Sequence, residues 1–130
     1  MIQELHAIKA ECESIQSFLE ITVGDNIEEI AERGNDLAVY IARTGKMLAD
    51  SKYHRNKALS TSIVREMGKQ ANIPPSVLSK LVDAATFDEN YVADWVERLN
   101  RTATHQLDWM RTLTSKAKEE MRLSNPISQR

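Results

Sequence analysis

One stretch constrains the fold more than any other. Across residues 27–71, Ile30, Leu37, Ile41, Leu48, Leu59, Ile63 and Met67 recur along a single helical stripe with no proline among them. At about 1.5 Å per residue such a helix is roughly 65 Å long, which exceeds the diameter of a compact domain of this length. The element must therefore bend or form one arm of an elongated hairpin. Gly34, Gly45 and the Asp50-Ser51 pair are the expected places for a kink or break.

Asn72-Ile73-Pro74-Pro75 stops the stripe, because proline lacks a backbone donor and disfavours helix in the residue before it. Pro75 and Ser76 suit the start of a short helix to Ala85, with Val77, Leu78, Leu81 and Val82 as its expected buried face. Thr86-Phe87-Asp88-Glu89 reads as another start signal. The last helix then covers about Asp88 to Leu123, with Val92, Trp95, Val96, Leu99, Ala103, Leu107, Met110, Leu113, Ala117 and Met121 on one face, and Asn125-Pro126 ends it.

Ahead of the long stripe, Ile2, Leu5, Ile8, Cys12, Ile15, Phe18 and Leu19 mark an amphipathic first helix. Gly24 is expected to take a positive φ beyond its end, and Asp25 or Asn26 to cap the helix that follows. No segment alternates with the period of a strand. The expected fold is all-α: one domain over residues 1–130, an elongated antiparallel hairpin or bundle of three to four helices. Its expected segments are an acidic helix over 1–23, a long helix over 26–71, a short one over 75–86, a long one over 88–123 and a tail over 124–130. Long, thin hairpins bury little surface per residue, so a homo-oligomer is expected.

Apolar residues make up 42% of the chain and charged residues 28%, an ordinary globular composition. No apolar run is long enough to span a bilayer, and the first residues lack the pattern of a signal peptide, so no membrane association and a cytoplasmic location are expected. The single cysteine, Cys12, agrees with a reducing compartment. Charge is distributed unevenly: net −7 over residues 1–36, +6 over 37–82 and −1 over 83–130. The expectation is an acidic N-terminal element that faces solvent, or that shields or pairs with a basic middle in the same chain or a neighbouring one.

If the hairpin turns near residue 79, levels on its two arms match where residue numbers sum to about 158, given equal rise in both arms. His54 then lies near Thr104 and His105. Arg43, Lys52, Tyr53, His54 and Arg55 on one arm would join Arg101, Thr102, His105, Trp109 and Arg111 on the other, forming a basic and aromatic band around the middle of the hairpin. Arginine can hold phosphate in a bidentate fork, threonine and histidine add hydrogen bonds, and Tyr53 or Trp109 offers a face for a base. The alternative is a pair of solvated helix faces, with Lys and Arg stems over apolar surface and both tryptophans in the core.

His54 and His105 stand at no spacing typical of a metal motif, and Cys12 falls on an apolar stripe, so neither a metal site nor a thiol nucleophile is expected. No phosphate-loop, nucleophile-elbow or HExxH motif is present, and the chain is expected to be non-enzymatic, without a cofactor.

Two stretches carry a resemblance. They are Ala42-Arg43-Thr44-Gly45-Lys46-Met47-Leu48-Ala49-Asp50-Ser51-Lys52-Tyr53, and Glu89-Asn90-Tyr91 with Asp94-Trp95-Val96-Glu97-Arg98-Leu99-Asn100-Arg101, Thr104-His105-Gln106-Leu107 and Arg111-Thr112. Together they resemble short uncharacterised helical proteins encoded by gut Bacteroides-type bacteria and their phages or mobile elements, over about residues 37–123. The resemblance implies a phage or mobile-element setting and transfers no activity and no functional residue. In that setting the band suits a small nucleotide, such as a signal of bacterial immunity that a phage protein sequesters, and single-stranded nucleic acid is the other phosphate-bearing ligand. A structural or adaptor protein acting through helix packing is the alternative from another class.

Overall fold

A computed structural model describes residues 1–69 and 72–124. Four α-helices make up nearly all of them: α1 (Leu5–Leu19), α2 (Ile27–Lys69), α3 (Pro75–Ala85) and α4 (Phe87–Ser124). No strand occurs among the described residues, and none of their helices is long and apolar enough to cross a membrane.

α2 runs for 43 residues without a break. Gly34, Gly45 and Asp50-Ser51, the expected weak points, all lie inside it. Two features explain this. Asn26 Oδ1 accepts from the Glu28 amide at 2.8 Å, and Glu28 and Glu29 place negative charge in the first turn. Thereafter α4 lies along α2, and tertiary packing supplies the stability that glycine withholds. The expected ends at Ala71 and over 125–130 fall outside the described residues.

Gly24 departs from expectation, since no glycine among the described residues has a positive φ. α1 closes instead through Glu20, in right-handed helical conformation, whose amide donates to Gln16. A Cβ on Gly24 would meet only the end of the exposed Glu29 side chain, which can swing aside.

The core lies where α1 covers the α2–α4 pair. Ile8, Cys12, Ile15 and Leu19 of α1 meet Ile30, Leu37 and Met47 of α2 and Val92, Val96, Leu99, Ala103 and Met110 of α4. The N-terminal end of α1 is tied to the middle of α2, where the Gln3 amide donates to Asp50 Oδ2 at 3.1 Å and His54 Nε2 donates to the Gln3 carbonyl at 2.7 Å. At its other end Gln106 on α4 donates to the Leu19 carbonyl and accepts from Arg33 of α2. α1 thus runs antiparallel to α2 and alongside α4.

The register of the hairpin differs from the expected one. Asn100 bonds to Ile41 and Thr44, and Arg33 to Gln106, so each residue meets the other arm about four to five turns of helix away from its expected partner. His54 shares a groove with Ala85 and Glu89, not with Thr104 and His105. The reason lies at Thr86. Its amide donates to Val82 and its carbonyl accepts from Asn90, so helical hydrogen bonding passes through this one residue from α3 into α4. α3 is therefore already part of the returning arm, packed on α2. Its expected buried face is not buried: no residue of α3 is, and Val77 is 46% exposed.

Candidate functional site

The corrected register divides the expected band among separate places. Arg43 pairs with Glu11 of α1, which is itself held by Gln3. Lys52 and Tyr53 are exposed, Tyr53 with its ring edge-on to His54 at 5.6 Å. His54 is half-buried and is occupied by the Gln3 carbonyl, and Arg55 is half-buried beside it in sequence. These five residues of α2 therefore share no site with the five expected on α4.

The α4 residues divide in turn. Arg111 pairs with Asp108 at 3.0 Å and lines a shallow groove between α2 and α4 with Ile30 and Gly34. Trp109 is 56% exposed, so it is not a core residue; it borders the loop after α1. Arg101, Thr102 and His105 do converge. With Trp95, Arg98 and Leu99 they form one wall of an open groove of about 450 Å³, and Gln16, Leu19 and Glu20 of α1 form the other.

The helical repeat builds that wall. Trp95, Arg98, Thr102 and His105 follow one another at steps of three and four, which places them on one side of α4. Leu99 is buried beneath them and fixes the helix against α1. Trp95 is half-buried, and its indole N–H donates to Gln16 Oε1 at 3.2 Å, which ties the two walls together. Gln16 Nε2 donates in turn to Glu20 Oε1 at 2.9 Å.

Electrostatics in the groove favour an anion on the α4 side. Arg101 is bonded to Glu97 at 2.8 Å across one turn, a solvent-exposed pair of small net strength that an incoming anion can compete with. Arg98 enters no ion pair among the described residues. His105 is exposed and adds a ring N–H. Against these, Glu20 contributes one carboxylate on the α1 wall, which restricts the groove to a ligand whose anionic part sits toward α4.

Arg98 joins the groove although it lies outside the expected band, and Gln16 and Glu20 carry no signal of their own in the sequence. The step from Trp95 to Arg98, Thr102 and His105 was the readable clue. Which helix faces that side could not be known until α1 was placed.

The groove holds no buried nucleophile. Cys12 lies in the core, where burial first, and the neighbouring Glu11 charge second, push its thiol up to about 12. Among the described residues no three of His, Cys, Asp and Glu stand close enough to hold a metal ion. The groove can position hydrogen-bond donors and positive charge around a ligand. The chain matches no protein-family model, no curated protein and no solved structure.

Proposed function

We propose that this protein is a non-enzymatic, oligomeric binding module that takes a phosphate-bearing ligand, a small nucleotide, in the groove between α1 and α4. The observation that carries the reading is the convergence of Arg98, Arg101, Thr102 and His105 on one wall, with the half-buried Trp95 beside them. Arginine forks and hydroxyl donors recognise phosphate, and the exposed part of an aromatic ring can meet a base. The acidic first third of the chain disfavours nonspecific binding to a nucleic-acid backbone, which requires a broadly positive face. In the phage or mobile-element setting that the resemblance implies, such a module acts in the host cytoplasm by sequestering a nucleotide signal.

The test is calorimetric titration of the full chain with mono-, di- and cyclic nucleotides, repeated with Arg98→Ala and Arg101→Ala. Binding should be saturable for at least one nucleotide, and each substitution should weaken it about tenfold, the scale of one charge-assisted contact. Loss of helicity in the variants is checked by circular dichroism. A steep fall in affinity between low and moderate salt, for single-stranded DNA but for no mononucleotide or cyclic nucleotide, would move the ligand to nucleic acid.

A protein-binding adaptor is the second reading, and α3 favours it. Val77 and Leu81 expose the outer part of its apolar face, while Leu78 and Val82 are half-buried. A stoichiometric protein partner together with no nucleotide affinity is the outcome that reading requires.

A further inference from the structure

The two walls of the groove between α1 and α4 differ in hydrogen-bonding character. On the α4 wall, the side chains of Arg98, Thr102 and His105 make no hydrogen bond among the described residues, and Arg101 is engaged only with Glu97. On the α1 wall, Glu20 supplies a carboxylate, and that carboxylate is held in place. The Trp95 indole can only donate, so its bond to Gln16 Oε1 at 3.2 Å fixes which end of the Gln16 amide faces it. The amide nitrogen is thereby turned toward Glu20, where it donates to Oε1 at 2.9 Å.

Two arginines line the same groove, yet Glu20 enters no ion pair among the described residues. Its Oε2 accepts no hydrogen bond there, and its Oε1 keeps a second lone pair. Glu20 also closes α1, so the partial negative charge of the helix end adds to its own. A ligand lying across the groove must present negative charge to α4 and donors to α1. In a nucleotide the phosphate meets the first demand and the base must meet the second. Guanine does so with two donors, because its ring N1–H and its exocyclic amine stand side by side and match the two oxygens of a carboxylate. Adenine and cytosine each set an amine beside a bare ring nitrogen, whose lone pair would face the carboxylate, and uracil and thymine flank their one N–H with carbonyls.

We infer that this groove selects guanine nucleotides, with Glu20 as the residue that reads the base. The inference rests on the nucleotide reading above and names the base. Arg98 and Arg101 take the phosphate, Glu20 accepts from N1–H and from the exocyclic amine, and Gln16 is a positioning residue that holds Glu20 for this contact. The groove volume of about 450 Å³ lies within the range of small-molecule sites, about 300–1,000 Å³.

Calorimetric titration of the full chain with GMP, inosine monophosphate, AMP and 2′-deoxy-GMP tests the inference. GMP should bind about tenfold tighter than AMP, the scale of one bidentate base contact. Inosine monophosphate, which keeps N1–H and lacks the amine, should fall between them, and 2′-deoxy-GMP should match GMP. Glu20→Gln should bring GMP to within about twofold of AMP without weakening AMP. Glu20 is exposed at a helix end, and unchanged circular dichroism checks that the variant keeps its fold. Equal affinity for GMP and AMP, or a preference that survives Glu20→Gln, overturns the inference and leaves the nucleotide reading standing. A large loss with 2′-deoxy-GMP would assign Glu20 to the sugar hydroxyls and overturns it equally. Saturable binding of none of the four contradicts the nucleotide reading itself, and this inference with it.

Discussion

Asn100 on α4 donates through Nδ2 to Thr44 Oγ1 on α2 at 2.9 Å, and this contact sets the register of the two long helices. The same amide reaches the Ile41 carbonyl at 3.1 Å, while the Thr44 hydroxyl donates to Tyr40. Thr44 is fully buried, so the polar pair sits inside an otherwise apolar seam. A buried polar pair of this kind costs little when satisfied and much when one partner is wrong.

Asn100→Asp should therefore destabilise the fold at neutral pH by about 1–3 kcal/mol, because an ionised carboxylate would face the Ile41 carbonyl without a donor to give it. Part of the loss should return as pH falls and the new carboxyl takes up a proton. Urea unfolding at pH 7 and pH 4 checks this, and equal destabilisation at both would contradict it.

Asp50 predicts an acid-sensitive attachment of the N-terminal residues. Burial opposes its ionisation. The Lys46 ammonium at 2.5 Å, the Gln3 amide and the positive N-terminus outweigh burial and hold the carboxyl below its ordinary range. A depressed value means that the carboxylate contributes stability in full above the pKa of the unfolded chain and loses it as pH falls through the folded value. Asp50→Asn should lower stability at pH 7 and flatten its dependence on pH below about 4, the unfolded carboxylate range. Urea midpoints across that range make the measurement, and an unchanged acid slope would contradict the assignment.

Cys12 should be inert in the native protein. With its thiol pushed up to about 12 and its side chain in the core, almost no thiolate is present at pH 8. An aromatic disulfide reagent should react only as fast as the protein unfolds, and at ordinary thiol rates in denaturant. Rapid modification of folded protein at pH 8 would place Cys12 outside the core.

Much of this fold is legible in the sequence, and the limit of legibility has a definite place. The repeats of Ile30 with Leu37 and of Val92, Val96, Leu99 and Ala103 mark the buried sides of α2 and α4, because a helix declares its apolar face by its period. The direction of the chain at a helix boundary is not declared in that way. Thr86-Phe87-Asp88-Glu89 looks like a fresh start, yet the bonds from the Thr86 amide to Val82 and from the Asn90 amide to Thr86 carry α3 into α4. Placing α3 on the returning arm, in place of a turn at its middle, separates His54 from His105 and dissolves the expected band.

What survived of the candidate site lay within one helix. Arg101, Thr102 and His105 stay together because their spacing alone joins them, whatever the register. Arg43 and His54 could not be placed by spacing, since their partners Glu11 and Gln3 come from the other end of the α1 packing. Val77 and Leu81 show the converse, an amphipathic pattern that the isolated chain does not bury.

Ligand binding by the groove is tested most directly by the Trp95 indole N–H, whose bond to Gln16 spans its two walls. Proton–nitrogen correlation spectra of the full chain should be recorded while mono-, di- and cyclic nucleotides are added in turn. At least one nucleotide should shift the Trp95 indole and the Arg98 side-chain resonances together in a saturable way, and leave those of the exposed Trp109 unchanged. No shift at Trp95 with any nucleotide, or shifts confined to Trp109, would contradict the assignment of this groove as the binding site.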